Sequence, residues 1–577
     1  MTGSRARSSS SLESPRPTER ARLDEVLARL REGARAWAKL SLPDRISVAR
    51  SMLRGTARIA ERVVAAACVA KGITPGTPPE GEEWLSSPYV MLRFLRQTVH
   101  SLATLERSGN TPVGPTGETL DGRLTVRLCP AGPLDSAVLP GIRGEAHLQA
   151  GVDERELDRS RARFHRSGGH DGRISLILGA GNVNAIAPAD VTTKLFNEVK
   201  ACVLKMNPLN AYLGPFLEEA FADAIQAGFL AVVYGGADEG AYLAYHPAVD
   251  EVHVTGSDRT HDAIVWGPPG PGRAERTARG EPVLRKEITS ELGNVTPVVV
   301  VPGPWTDREL AYQAENVAGM VTHNASFNCV AGKVLVLARG WRLRERFLGL
   351  VLERMALTPA RRSWYPGAEE RYRALTGGRA EVRRVGGGEG ALPWTLVTGL
   401  DAADASDPAF RTEPFCPILS ETQVGSEDPL EFLDAAVRFC NDRLWGTLAC
   451  ALVASSRTRA DPSTGIALER AIRALRYGSV CVNLWPGLAF ATGTLPWGGF
   501  PGSSLADVQS GRGFVHDTRM LGVVEKTVLR GPAWSPVKLP YFPGHRASHL
   551  LGRRLTRLEA DGSWARLPAV LATALRQ

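Results

Sequence analysis

ISLILGAGNVNAIAPADVTTKLFNEVKACVLKMNPLNAYLGPFLEEAFADAIQAGFLAVVYGG, residues 174–236, followed by VDEVHVTG at 249–256, decides the fold. The apolar run ISLILGA predicts a buried strand, and the segment opening at Asp190 a helix. ACVLKM predicts a second strand, 212–226 a second helix, and LAVVYGG a third strand. A short helix at 239–245 and the strand VDEVHVTG complete the alternation. Strands joined by crossovers of this length must run parallel, and right-handed crossovers place helices on both faces of the sheet. The predicted plan is the doubly wound α/β sheet that binds nucleotides at the carboxyl ends of its strands.

Outward from this stretch, residues 1–20 are rich in Ser, Arg and Pro and predict a disordered tail. Apolar residues recur at helical spacing over 23–69, interrupted at Leu42-Pro43, which predicts two helices joined by a turn. A further helix is expected over 91–105, and a strand around Thr125. The run GPPGPGRAERTARGEP at 267–282 predicts an exposed, mobile loop. Past Glu291 a second α/β set begins with VTPVVVVPG, a helix near 310–320 and the strand GKVLVLAR. The expected division is a cofactor domain with N-terminal helices at 21–290 and a catalytic domain at 291–480. A return to the cofactor domain with an oligomerisation strand follows at 481–530, and a polar extension at 531–577.

The chain has 577 residues, long enough for two large cores, and its 43% apolar and 23% charged residues are the balance of a folded globular protein. Net charge is +8, but 69 basic residues are spread among 61 acidic ones without a dense basic block, which argues against a nucleic-acid platform. The eight cysteines are scattered, with no CxxC pair and no histidine at metal spacing, so free thiols and no metal site are expected. The N-terminus lacks the apolar core of a signal peptide, and no stretch has the length of a membrane span. Cytoplasmic location is the expectation.

Two segments carry chemistry. Cys329, in HNASFNCVAGKVLVL, precedes a small-residue turn and an apolar strand, where backbone amides can favour a nucleophilic thiolate. Glu291, in KEITSELGNVTPVVVV, stands at the junction of two structural segments, where a carboxylate can act as general base. Singly, a cysteine is more often a buried apolar thiol and a glutamate a solvated acid. The pair, 38 residues apart and in this order, is what is distinctive.

Here the chain resembles the aldehyde dehydrogenase superfamily, over about 23–529. SELGN and NCVAG match its Glu-Leu-Gly-Gly base motif and its Cys-x-Ala-Gly nucleophile motif. GAGNVNAIAP resembles the Trp-Asn-Phe-Pro segment, pointing to Asn182 as oxyanion donor. Lys205, 23 residues on, matches the lysine that bonds the adenosine ribose. VHVTGSDRT resembles the Phe-Thr-Gly-Ser segment, with Gly256 and Ser257 near the pyrophosphate. TEPFCPIL resembles Glu-x-Phe-Gly-Pro, assigning Glu413 to the nicotinamide ribose and Phe415 to packing beside the ring, and LPWGGFPGS resembles Pro-Phe-Gly-Gly. The departures are Gly181 and Ala185 around Asn182, Asn294 for the second glycine of the base motif, and Cys416 for the glycine after Phe415. Stretches 130–172 and 267–282 are longer than in the family and are expected near the substrate entrance.

The resemblance implies an aldehyde dehydrogenase-like fold, a Rossmann-like cofactor domain beside an α/β catalytic domain and a small oligomerisation element. It implies NAD or NADP as cofactor and an aldehyde as substrate, oxidised through a thiohemiacetal and thioester on Cys329 and released by water activated at Glu291. Two alternatives stay open: coenzyme A as thioester acceptor, and a non-catalytic scaffold that kept the fold. A cysteine hydrolase using His323 has no further signature. Pro208 stands where selective relatives carry a glutamate against a 2′-phosphate, so the phosphorylated dinucleotide is expected to be tolerated. VVEKTVLRG at 523–531 reads as a strand with no neighbouring hairpin partner, hence an edge that a homodimer or homotetramer would cover.

Overall fold

The structure is a computed structural model, and it describes residues 14–166 and 171–576. The predicted tail therefore lies mostly outside the described residues, and the first helix begins at Arg20. The alternation at 174–256 forms a six-stranded sheet in the order 511–512, 287–292, 251–256, 174–178, 201–205, 230–233. All neighbours are parallel except Gly511–Arg512, which runs antiparallel to Glu287–Leu292. Helices Arg20–Lys39 and Leu42–Lys71 pack on this unit through Leu23, Leu27, Leu30, Trp37, Ala49 and Met52. Ser41 caps the second helix by accepting from the amide of Asp44, and Gly72 closes it in a left-handed conformation.

The apolar runs after Glu291 build an eleven-stranded sheet, in the order 116–118, 124–129, 143–148, 524–530, 479–482, 449–453, 297–300, 334–338, 418–424, 394–400, 382–385. Its central strands Pro297–Val300 and Val334–Ala338 are buried on both faces, as continuous apolar strands in a parallel sheet must be. Helix Asp307–Thr322 begins with a capping box, Thr306 and Glu309.

Four expectations change. Strands at 116–148, placed by sequence with the cofactor domain, extend the large sheet instead. Strand Val524–Arg530 is no edge: it lies between Ser479–Val482 and Arg143–Leu148 of the same chain. The expectation of an unpaired strand failed because its partners are 48 and about 380 residues away, beyond any local pattern. The 267–282 stretch contains a helix, Pro271–Arg279, none of whose residues is fully buried. The extension is not a polar tail either. Helix Ser548–Asp561 buries Leu551, Leu555 and Leu558 against Glu80–Leu85 and Pro88–Ser108, and a last helix, Leu567–Ala574, packs on it.

Candidate active site

A cavity of about 220 Å³ lies where the two sheets, helix Pro88–Ser108 and the C-terminal extension converge, and both Glu291 and Cys329 line it. Cys329 follows the helix Asp307–Thr322 through three consecutive left-handed residues, Asn324 (φ 53°), Ala325 (φ 53°) and Ser326 (φ 69°). Such a run costs roughly 1–2 kcal/mol per residue away from asparagine, so its surroundings must hold it. Asn324 Nδ2 donates to the carbonyls of Asn182 (3.0 Å) and Phe327 (3.1 Å), its Oδ1 accepts from Lys71 Nζ (3.2 Å), and its amide donates to Glu82 (3.0 Å). Lys71 is itself paired with Glu83 at 2.8 Å, both wholly buried.

Of the eight free cysteines, Cys329 alone keeps partial exposure. Burial raises its thiol well above the ordinary value, and the nearby Glu291 and Glu413 carboxylates add to this while Lys333 opposes it. Lys333, which sequence reading left unassigned, lies buried under the site. Its ammonium donates to the carbonyls of Asn294 (3.1 Å), Asn328 (3.1 Å) and Cys329 (3.0 Å), and it is ion-paired with Glu413. The signal in the sequence was a lysine inside the otherwise apolar VAGKVLVL.

Glu291 sits one residue before the end of strand Glu287–Leu292, 2% exposed and facing the Cys329 thiol. Burial, then the negative charge of Asp190, push its carboxyl up to about 8. The Trp497 indole lies close enough to favour the carboxylate, yet neither Trp497 Nε1 nor Glu291 Oε2 completes a well-formed hydrogen bond. Asp190 keeps its own proton off despite burial, because His253 and His516 face it, His516 Nε2 at 2.8 Å from Oδ1. Asn182 is buried behind the nucleophile loop, where its Nδ2 donates to Phe327 at 3.0 Å. Its neighbour Val183, not Asn182, lines the cavity.

The departures from the family motifs have structural causes. A Cβ at Gly181 would fall 2.7 Å from Asn207 Oδ1, so an aromatic residue there would have to displace the Asn207 side chain. Asn294 ties the base strand to the large sheet, donating to Ala449 O (2.8 Å) and accepting from Thr296 (2.7 Å). Gly446 makes room for it, since a Cβ there would lie 2.5 Å from Asn294 Cβ. Cys416 is buried, and burial pushes its thiol up to about 12, an inert value.

The remaining predicted residues line the carboxyl edge of the small sheet. Lys205 ends strand Ala201–Lys205 and Gly256 ends Glu251–Gly256, on either side of Ile174–Leu178, which is the switch point of this sheet. Ser257 caps helix Asp258–Trp266, accepting from the amide of Thr260 at the helix start. Burial lowers the Lys205 ammonium from its ordinary value while Glu239 opposes this. Glu239, which also caps helix Ala237–Tyr245, is thus the carboxylate whose charge reaches Lys205. Glu413 is held by Lys333, and Phe415 packs against Tyr365 at 4.7 Å and Phe327 at 6.0 Å. A lysine head, a helix N-terminus and a switch-point crevice fit an anionic dinucleotide. Among the described residues no helix is long and apolar enough to cross a membrane.

Residues 200–360 match the aldehyde dehydrogenase family model. Among solved structures, the chain is similar to an NADP-dependent glyceraldehyde-3-phosphate dehydrogenase from Bacillus halodurans C-125 complexed with NADP. Identity is 16%, coverage 89% of this chain and 91% of that one, and the TM-score 0.58. It is also similar to gamma-glutamyl-gamma-aminobutyraldehyde dehydrogenase from Burkholderia cenocepacia J2315 (19% identity, 89% and 88% covered, TM-score 0.59). An NAD-dependent aldehyde dehydrogenase from Sinorhizobium meliloti gives 19% identity, 89% and 87% coverage and a TM-score of 0.59. The segment that holds Lys205, Glu291 and Cys329 thus matches the aldehyde dehydrogenase family model, and along nearly nine tenths of its length the chain has the fold of these aldehyde dehydrogenase structures.

Proposed function

We propose that the protein oxidises an aldehyde to a carboxylate with NAD or NADP, using Cys329 as nucleophile and Glu291 as base. The observation that carries this is a buried carboxyl with its proton affinity near neutrality, facing the one partly accessible thiol across a shared cavity. Groups tuned in this way by desolvation and a neighbouring charge mark acid–base sites.

The Cys329 thiol gives its proton to Glu291, and sulfur forms a bond to the carbonyl carbon. The carbonyl oxygen gains the electron pair and is met by the Cys329 amide, while Asn182, bonded to the Phe327 carbonyl, holds the loop that presents that amide. Lys205, Gly256, Ser257 and Glu413, with Phe415 packed nearby, would hold the dinucleotide, which when bound would accept the hydride from this carbon. The oxyanion then re-forms its double bond as a thioester on Cys329. Glu291, once it has released the thiol's proton to solvent, takes a proton from water as the water oxygen adds to the thioester, and the Cys329 sulfur leaves as thiolate. Oε2 of Glu291, which accepts no hydrogen bond from the described residues, is the atom suited to that water.

A panel of aldehydes, followed by absorbance of the reduced dinucleotide with and without coenzyme A, tests the reading. Water-dependent turnover that Cys329→Ala abolishes supports it, and turnover that strictly requires coenzyme A overturns the hydrolytic half. The seven buried unpaired thiols suit a reducing compartment, so cytoplasmic location belongs to the same proposal. Assembly as a homodimer or homotetramer does too, now through the exposed outer strand Thr116–Glu118. A single sedimenting species near 62 kDa would refute it.

A further inference from the structure

We infer that the substrate is a long, unbranched, apolar aldehyde, its hydrocarbon chain held by the C-terminal extension. The inference rests on the catalytic reading of Cys329 and deepens it. From Cys329 and Glu291 the cavity wall continues through Trp485, Phe490 and Tyr541 to Leu551 and Leu571 of the last two helices. The lining thus runs from the reacting pair to the C-terminal extension, which closes one side of the space. Its wall is apolar, and the charged groups on it are already engaged. Arg93 bonds Asp135 (2.6 Å), Glu559 (2.9 Å) and the Thr492 carbonyl (2.7 Å). Lys538 pairs with Glu315 at 3.0 Å, and His323 stacks on Trp485 beside Asn328. A phosphate or carboxylate tail would enter without a counter-charge, which an apolar wall does not tolerate. A methylene chain matches the wall, and burying each added CH₂ favours binding by roughly threefold to fourfold.

At the outer part of this wall, helix Leu567–Ala574 carries Val570, Leu571 and Ala574, with Leu571 43% exposed. A substitution there therefore meets the far part of the chain and leaves the reacting carbon untouched. Unbranched aldehydes of three to fourteen carbons, assayed by dinucleotide reduction, should show kcat/KM rising roughly threefold per methylene until the channel is filled, mostly through KM. Ala574→Trp should lower kcat/KM for dodecanal about tenfold and shift the optimum to shorter chains. Trp485 and Trp497 lie on the wall, so saturable quenching of tryptophan fluorescence by dodecanoate, below its micelle concentration, reports the channel without turnover. Ala574→Trp should weaken that binding about tenfold, and propionate should give none.

A flat or falling chain-length series overturns the inference, as does a preference for a charged aldehyde such as succinate semialdehyde. Dodecanoate binding that Ala574→Trp leaves unchanged also overturns it. If no aldehyde reduces the dinucleotide while dodecanoate binds and Ala574→Trp weakens it, the catalytic reading fails and the channel stands. Should Ala574→Trp not fold, the chain-length series of the native protein decides.

Discussion

Replacing Glu291 by glutamine separates two effects of one carboxyl. In the folded chain its proton is held up to about 8, whereas in the unfolded chain it leaves near the ordinary glutamate value. Between those values the unfolded state binds fewer protons, so this residue makes the protein less stable as pH rises, and the loss is complete above the folded value. Glu291→Gln should therefore melt close to native at about pH 5 and clearly above native at about pH 9. Equal melting temperatures at the higher pH would show that the carboxyl is not held protonated. The same shift sets the activity profile: thioester hydrolysis needs the ionised form, so the steady-state rate should climb with a midpoint near pH 8. Glu291→Gln should keep one burst of reduced dinucleotide and lose steady turnover, measured by rapid mixing.

At the scale of elements, the nucleophile loop is held in its left-handed run by chain segments far from it in sequence. Glu83, on the short helix Glu80–Leu85, pairs with Lys71 and accepts from Asn184, and Lys71 in turn bonds Asn324. Glu83→Gln leaves a buried ammonium without its counter-charge, which should cost about 3–5 kcal/mol in denaturant unfolding. An effect below about 1 kcal/mol would mean that Lys71 finds water or another partner. Lys333 binds the other side of the loop. Lys333→Met should lower kcat about a hundredfold while the fold survives by circular dichroism, because three carbonyls around Cys329 and the Glu413 carboxylate lose one common donor. Where helix Ala237–Tyr245 starts, Glu239 brings negative charge near Lys205. Glu239→Gln should tighten the phosphorylated dinucleotide about tenfold relative to the unphosphorylated one, read by titration calorimetry, and an unchanged ratio would remove Glu239 from cofactor choice.

At the scale of the molecule, the C-terminal 54 residues join both halves of the structure. Val524–Arg530 lies inside the large sheet, and Glu559 reaches Arg93 and Arg96 on the helix Pro88–Ser108. Ending the chain at Val523 should give an insoluble or loosely packed protein with lost near-ultraviolet dichroism. A soluble, cooperatively melting truncate would contradict the internal pairing of that strand. Ending it at Arg530 keeps the strand but removes the C-terminal part of the channel wall and Glu559, one partner of Arg93, so a weaker, still cooperative melt is expected.

What the chain alone determined is what lies close along it. The alternation at 174–256 specified a parallel sheet because strand and helix periods are properties of a dozen residues, and the strands form where the pattern put them. Cys329 and Glu291 were legible because each sits in a short motif, and the fold brings the two together at one cavity. The rest was decided by tertiary structure. Strand Val524–Arg530 looked like an edge because its partners are remote. Lys333, Asp190 and Trp497 gained their places at the site only when distant segments met around Glu291 and Cys329. The raised proton affinity of Glu291 and the apolar channel share this origin: burial is a sum over the whole surrounding shell, which no single segment encodes.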